Sequence, residues 1–299
     1  MPARRSPRRG RRKKALFPDS RPMRRRCFLG ASLSLAVLPA RAQEKPARFS
    51  VTGAMTQGSL AVGTAPPGSL VALDGRPLRI TADGRFSFGF APDQTRASLV
   101  TVRYPDSGGD SRSFTPTARQ YETQEVNGLP QKTVTPPPEV QARIAQEAEA
   151  VYLTRLNDTA GSDFLSGFDW PAPGILSGVF GSRRIDNGVP MAPHYGVDMA
   201  APVGTPICAP ADGRVSVSDE HYLNGGFILI DHGQGVSTAY LHQSARLVKT
   251  GDTVRRGQRI GLIGATGRAT GPHLHWAMNW FQVRLDPSRS TKKPKPEPL

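Results

Sequence analysis

The pattern of apolar and polar positions divides the chain into a β-rich part, a short helical stretch and a second β-rich part. From Phe49 to about Arg119, short apolar pieces such as SLVALDG and FSFGFAPD alternate with turns rich in Gly and Asp. The Asp-Gly pairs at 74–75 and 83–84 are typical of hairpin turns, because both residue types tolerate positive φ angles. This pattern predicts a small β-sandwich of about seven short strands over residues 43–120.

A looser stretch follows from residue 121 to residue 165. It contains a run of three prolines at 136–138, which is typical of a semi-rigid spacer. After the prolines, apolar residues recur close to the helical period, at Val140, Ile144, Ala148 and Val151. The stretch is therefore predicted to be a linker with one amphipathic helix, which begins near Pro138 and packs on a neighbouring domain.

Residues 166–287 return to β-like patterning. Segments such as GGFILIDHGQGVSTAYLHQ are strands joined by Gly-rich turns, and no convincing helix separates them. These residues are predicted to form a second, all-β domain. The polar, Pro-rich segment 288–299 is predicted to be a disordered tail. The expected fold class is therefore mainly β throughout.

Charge at first suggests a nucleic-acid partner, because the formal net charge is +15. However, residues 1–42 hold 13 of the 39 Lys and Arg residues and only one acidic residue, Asp19. The rest of the chain carries 26 basic and 23 acidic residues, a net charge of only +3. No nucleic-acid partner is expected.

The first 42 residues are predicted to be an export signal. The stretch MRRRCFLGASLSLAVLPARA has a basic start, an apolar run and an A-x-A arrangement that ends at Ala42. The basic segment before Met23 is longer than a signal needs, so we expect translation to begin at Met23. The apolar run has 14 residues, and a bilayer span needs about 20, so no stable transmembrane anchor is expected.

Export would take the protein to the periplasm or cell envelope, and both the general secretory and the twin-arginine routes stay open. Cys27 lies in the signal, so Cys208 has no partner for an intrachain disulfide. A lone cysteine in an apolar stretch is more often a small buried side chain than a nucleophile.

All six histidines lie in the second β-rich part, and four of them suggest a metal site. His273 and His275 flank a leucine, so on a strand both side chains point to one face. His194 and Asp198 are four residues apart, and Gly196 between them would permit the bend that a shared metal requires. With His242, the chain offers five metal-capable groups. A catalytic zinc typically uses three protein ligands, so the surplus favours an enzyme, although spacing alone does not say which two groups are surplus.

Two other residues, Tyr240 and Arg183, are candidates for substrate binding, and the two remaining histidines are not. Tyr240 shares the predicted strand face of His242 and could contact substrate, and Arg183 could meet a substrate carboxylate through its planar guanidinium. Cross-strand packing of Tyr240 and a solvated Arg183 are the plain alternatives. His221 and His232 lie beside likely turns and are predicted to be exposed.

Taken together and in order, the motifs GSRR, HYGVD, TAYLH, VKTGDTVRRGQRIGLIGATG and TGPHLHW resemble the LytM-type, lysostaphin-like zinc endopeptidases, which cut peptidoglycan. The resemblance covers about Phe168 to Pro287. It implies one Zn²⁺ per chain, held by His194, Asp198 and His275, with a zinc-bound water as nucleophile. It also implies that His242 and His273 are catalytic, and it does not say which of them is the main base.

The resemblance further implies peptidoglycan stem peptides as substrate, and the peptide bond that is cut stays open. The alternative is a non-catalytic peptidoglycan-binding protein or amidase activator on the same fold. Members of the family in that role have typically lost zinc ligands. This chain keeps all of them, which favours a zinc metalloendopeptidase.

Overall fold

The computed structural model describes residues 48–292, and the predicted export signal lies outside them. The described residues belong to one compact unit, and strands make up most of its regular structure. Among the described residues, no helix combines the length and apolar character needed to cross a bilayer.

Seven short strands near the start of this unit form two antiparallel sheets. The first sheet has the order β1-β2-β5 and the second β4-β3-β6-β7. Their bounds are β1 (Ser50–Thr52), β2 (Leu60–Thr64), β3 (Leu70–Leu73), β4 (Arg76–Leu78), β5 (Arg85–Gly89), β6 (Ser98–Arg103) and β7 (Gly109–Phe114).

Aromatic side chains of β5 fill the space between the two sheets. Phe86 and Phe88 are two residues apart, so both side chains lie on one face of β5, and both are fully buried. Phe88 faces Phe114 of β7, with ring centroids 6.1 Å apart. Two facing sheets of seven strands confirm the predicted small β-sandwich.

One of the two Asp-Gly turns is a hairpin and the other is not. Asp74 and Gly75 have φ of 49° and 83° and close the hairpin between β3 and β4. The hairpin prediction is wrong for residues 83–84, because β4 and β5 belong to different sheets. Gly84 is required there by crowding, since a Cβ would overlap the carbonyl oxygen of Ala65.

The predicted linker contributes regular structure of its own. It contains β8 (Thr123–Val126), a one-turn helix α1 (Gln131–Val134) that the sequence pattern did not predict, and the longer helix α2 (Pro138–Thr154). Helix α2 has proline in its first turn, where no intrahelical partner is lost. Strand β8 pairs in parallel with β10 (Arg183–Asp186), so this part of the chain is tied to the second β-rich part.

A ten-stranded sheet dominates the second β-rich part. Its main path runs β17-β14-β15-β16-β19-β12-β9, while β10 and β11 pair beside β8 in a separate sheet. The remaining strands are β9 (Ile175–Gly178), β11 (Val189–Met191), β12 (Val197–Ala200), β13 (Pro206–Cys208), β14 (Gly213–His221), β15 (Gly225–Asp231), β16 (Val236–Arg246), β17 (Thr253–Val254), β18 (Arg259–Ile263), β19 (His273–Trp280) and β20 (Val283–Leu285).

Two 3-10 helices flank this sheet, at Asp163–Ser166 and at Pro287–Ser290. Asp286 caps the second by accepting a hydrogen bond from the Ser288 amide at 3.1 Å. The Lys292 amide then donates to the Phe168 carbonyl at 3.0 Å. The predicted disordered tail is therefore wrong for residues 288–292, and the rest of it lies outside the described residues.

Helix α2 packs on the sheet face beside its central strands. Val151 of the helix is buried against Phe227, Leu229, Ala239 and Ala277, which share one face of β15, β16 and β19. This packing follows the predicted amphipathic pattern. Elsewhere in the sheet, Cys208 is half-buried with a free thiol, and burial raises the pKa of that thiol.

Candidate metal centre

Two antiparallel strands build the floor of the candidate site. Asp198 on β12 lies directly opposite His275 on β19. Strand alternation puts His273 and His275 on one face, while Leu274 is fully buried on the other. The predicted shared face of the two histidines is confirmed by this register.

Three ligand-type atoms meet at this point. His194 Nε2 lies 2.9 Å from Asp198 Oδ1 and 2.9 Å from His275 Nδ1. His275 Nδ1 lies 2.8 Å from the same carboxylate oxygen. Among residues 48–292, these three side chains form a cluster whose donor atoms are close enough together to hold one metal ion.

Gly196 is needed here for space. His194 precedes β12, so the chain already bends between His194 and Asp198. A Cβ at Gly196 would lie 2.5 Å from His275 Nε2 and 2.8 Å from the Trp276 carbonyl oxygen. The glycine therefore lets His275 lie against the backbone just before β12, a role that differs from the predicted bend.

Backbone and burial prepare the two imidazoles for a metal. His194 Nδ1 lies 3.0 Å from the Val179 carbonyl oxygen and donates to it, which leaves Nε2 with a free lone pair. Burial lowers the pKa of His275 to about 4, so its ring is neutral at pH 7. Neutral imidazole is the form that binds divalent metals.

Asp198 is held ionised and oriented. Burial disfavours the charged carboxylate, but its close contacts with the His194 and His275 rings outweigh that penalty and keep the pKa of Asp198 well below the usual value. The second oxygen, Oδ2, accepts a hydrogen bond from Arg184 at 2.9 Å. Arg184 thus occupies one carboxylate oxygen and leaves Oδ1 to the metal cluster.

Arg184, and not the predicted Arg183, is the arginine of this site. Both lie on β10, where side chains alternate between faces. Arg184 is largely buried beside Asp198, whereas Arg183 is exposed. The motif GSRR predicts an arginine near the site, but only the orientation of β10 determines which of its two arginines faces the cluster.

The two other predicted site histidines lie beside the cluster. The His242 and His273 rings are 4.7 Å apart, and the His242 and His275 rings are 6.3 Å apart. His273 Nε2 lies 4.0 Å from Asp198 Oδ1. All five metal-capable residues predicted from the sequence therefore come together.

Both of these rings are fixed through Nδ1. His242 Nδ1 donates to the Thr266 carbonyl at 2.8 Å, and His273 Nδ1 donates to the Gly271 carbonyl at 2.9 Å. Each ring keeps Nε2 free to accept or hold a proton. Burial, together with the neighbouring histidines, lowers the pKa of His242 to about 3, so this ring is neutral at pH 7.

Tyr240 does not share the face of His242, and its predicted substrate contact is wrong. Tyr240 is fully buried in the core, where its hydroxyl pairs with Thr238 at 2.7 Å. His242 has a φ of 64°, which turns its ring onto the opposite face of β16. The His242 amide, donating to the Asn224 carbonyl at 2.8 Å, holds that turn.

His221 and His232 are also placed differently from the prediction, since both are buried. His221 stacks on Phe227, with ring centroids 4.5 Å apart. His232 donates from Nδ1 to the Asp212 carbonyl at 2.6 Å, and its Nε2 accepts from Thr238 at 2.8 Å. Both histidines, which lie beside likely turns in the sequence, are therefore buried and not exposed.

The burial of His232 predicts an acid-sensitive fold. Burial lowers the pKa of His232 from 6.5 to about 4. The unfolded chain takes up the proton first, so this contribution is complete above pH 6.5 and is lost as the pH falls towards 4. It amounts to about 3 kcal/mol of unfolding free energy.

Urea unfolding of the wild type and of His232→Gln at pH 7 and pH 4.5 measures this contribution. The variant is expected to lose less stability on acidification than the wild type. An equal loss in both proteins would contradict the assignment, because the remaining buried histidines are common to the two.

A cleft of about 640 Å³ runs past the cluster. Its walls include helix α2, the segment after β8 and the loop that leads into β19. The metal-type cluster and His242 and His273 open into it.

Comparisons with known proteins agree with this geometry. Residues 192–287 match the family model described as Peptidase family M23. The Peptidoglycan DD-endopeptidase ShyA of Vibrio cholerae is 51% identical over 88 residues, which are 29% of this chain and 20% of that protein. The Peptidoglycan DD-endopeptidase ShyC of the same organism is 45% identical over 106 residues, 36% of this chain and 24% of that protein.

The chain thus spans about a fifth to a quarter of the length of these relatives. Among solved structures, a putative peptidase M23 from Pseudomonas aeruginosa matches with a TM-score of 0.60 and 29% identity. That match covers 78% of this chain and 93% of the other. The matched family confirms the one that the sequence motifs resemble.

Proposed function

From the peptidase family M23 domain that residues 192–287 form, we propose that the protein is an exported zinc-dependent endopeptidase that hydrolyses peptide crosslinks of peptidoglycan. Its place of action is the periplasm or cell envelope. One Zn²⁺ per chain is its cofactor, and peptidoglycan stem peptides are its substrate.

The observation that carries this proposal is the meeting of His194 Nε2, His275 Nδ1 and Asp198 Oδ1 within 2.9 Å of one another. Two neutral imidazoles and one carboxylate are a donor set typical of catalytic zinc, which leaves a coordination position open. Outside the cluster, the Val179 carbonyl fixes the tautomer of the His194 ring, and Arg184 fixes one carboxylate oxygen of Asp198. Both contacts orient their ligands for a zinc ion at the cluster.

Bound there, zinc would lower the pKa of a coordinated water towards neutrality and polarise a peptide carbonyl. The chain's own residues do the rest. His242 and His273 present Nε2 atoms that take a proton from the attacking water and return it to the leaving amine. A ring that holds this proton also stabilises negative charge on the carbonyl oxygen.

The bond proposed is a D,D-crosslink between stem peptides. Two relatives of the catalytic region are named peptidoglycan DD-endopeptidases. The names of these relatives support cleavage of a peptide crosslink over cleavage of a sugar chain.

A non-catalytic wall-binding protein or amidase activator is the alternative. Such a protein does not need the full set of ligands or the two additional histidines. Here all five side chains converge, and three of the rings have their Nδ1 atoms engaged with carbonyls. This arrangement favours the enzyme.

Incubation of the purified protein with peptidoglycan sacculi tests the proposal. Soluble muropeptides are expected to appear, to disappear when a chelator is added, and to return when Zn²⁺ is restored. Absence of any metal-dependent release would support the binding protein instead.

Arg184 offers a test of how the carboxylate is oriented. Replacement by Gln removes the charged hydrogen bond to Asp198 Oδ2, and loss of such an outer partner typically weakens metal binding by about 10- to 100-fold. Chelator competition measures the zinc affinity of Arg184→Gln. Arg183→Gln is the matched control, because Arg183 is exposed on the same strand, and its zinc affinity is expected to equal that of the wild type. Equal affinity in all three proteins would contradict the role of Arg184.

A further inference from the structure

Two arginines, one buried and one half-buried, line the cleft without an acidic partner among residues 48–292. Arg155 follows helix α2 at its C-terminal end and is 9% exposed. Arg284 lies on β20, and both side chains line the cleft that contains the metal cluster. Among the residues from 48 to 292, neither guanidinium forms an ion pair, and Arg155 Nε has no hydrogen-bond partner.

Their surroundings penalise these charges. Burial, together with the neighbouring charge of Arg284, lowers the pKa of Arg155 to about 9. Burial also lowers the pKa of Arg284, whose guanidinium lies 5.7 Å from the ring centre of Tyr195. Two buried like charges are costly unless an anion neutralises them.

Further unpaired polar groups lie on the strands beside Arg284. Asn279 on β19 is opposite both Arg284 on β20 and Ser237 on β16. The amide nitrogen and oxygen of Asn279 and the hydroxyl of Ser237 are buried without hydrogen-bond partners in the described chain. Buried polar groups are nearly always paired, so the strands beside Arg284 form a polar environment with unused hydrogen-bonding capacity.

The position relative to the metal cluster fits a peptide ligand. Asn279 lies four residues beyond His275 on the same strand, which corresponds to about 13 Å at the usual rise. An extended peptide with its scissile bond at the cluster would reach this region with three or four residues.

We propose that Arg155 and Arg284 form a carboxylate-binding subsite, which holds a free carboxylate of the stem peptide at a distance from the bond that is cut. This inference rests on the proposed function. Guanidinium groups bind carboxylates through paired hydrogen bonds, so one carboxylate would accept hydrogen bonds from both arginines and offset one of their two charges. The subsite would select crosslinks whose stem peptides carry free carboxyl groups over amidated ones.

A stability measurement tests the subsite without any catalysis. Acetate is the probe, acetamide is its neutral analogue, and chloride keeps the ionic strength constant. Acetate is expected to raise the melting temperature of the zinc-loaded wild type and of Arg214→Gln, since Arg214 is exposed and forms no ion pair within residues 48–292. It is expected to have no such effect on Arg155→Gln or Arg284→Gln. An equal rise in all four proteins would overturn the subsite.

A binding measurement tests its ligand. A crosslinked muropeptide dimer is titrated into the full-length His242→Ala protein. The same titration is done after adding either Arg284→Gln or Arg155→Met to that protein. Methionine is chosen at position 155 because it keeps an apolar side chain at the helix end. Loss of a charged hydrogen bond is expected to weaken binding about 10- to 100-fold. An amidated dimer is expected to bind all variants equally and weakly.

Equal affinity of the free-carboxyl dimer for all variants would overturn the inference. In that case the wild type would still release muropeptides from sacculi in a zinc-dependent way, so failure of the subsite is separate from failure of the proposed function. Failure of the proposed function would instead appear as absence of that release.

Discussion

His242→Ala is expected to slow peptidoglycan hydrolysis by about 10²- to 10⁴-fold while zinc stays bound, which is the range typical of losing a general acid or base. The reason is geometric. His242 lies beside the cluster but outside its 2.8–2.9 Å contacts, and its Nδ1 is committed to the Thr266 carbonyl. Removing the ring therefore removes a proton acceptor and leaves all three proposed ligands.

Two readouts on the same preparation decide this prediction, the hydrolysis rate on sacculi and the zinc content per chain. Thermal unfolding establishes that the variant is folded. A rate within about threefold of the wild type would exclude His242 from catalysis. Loss of zinc together with activity would make His242 a ligand and would contradict the assigned set.

His194→Ala is expected to lose both zinc and activity. Its Nε2 is one of three donor atoms at the cluster, and two remaining donors hold zinc poorly. The metal contributes several kcal/mol to stabilising charge in the transition state, so its loss corresponds to about a thousandfold or more in rate.

The comparison with His242→Ala makes this prediction specific. Both substitutions remove one buried imidazole from the same cleft, so general destabilisation would affect them alike. Only His194→Ala is expected to lose zinc. Retained zinc with full activity in His194→Ala would show that the ligand set is wrong.

The strand periodicity of the sequence was sufficient to predict much of this site. The H-x-H spacing predicted that His273 and His275 share a face, and the register of β12 with β19 agrees. The seven-strand sandwich followed from alternating apolar positions and turn residues. Side chains alternate between the two faces of a strand every second residue, so the sequence pattern predicts well which side chains share a face.

Departures from regular geometry explain what could not be predicted. His242 lies on the site face only because its φ is 64°, and the choice of Arg184 over Arg183 depends on the orientation of β10. His232 is buried by contacts with Asp212 and Thr238, which are distant in sequence or across a turn. Arg155 and Arg284 line the same cleft because helix α2 packs on the sheet. No sequence motif indicates that packing.

Mass spectrometry of a purified D,D-crosslinked muropeptide dimer, incubated with the zinc-loaded protein in water enriched in ¹⁸O, tests whether the protein hydrolyses the crosslink. Two monomers are expected, whose combined mass exceeds that of the dimer by one water, with one ¹⁸O in the new carboxyl group. Neither chelated wild type nor His194→Ala should form them. An intact dimer with the zinc-loaded wild type, or equal cleavage in the presence of chelator, would contradict zinc-dependent hydrolysis by this protein.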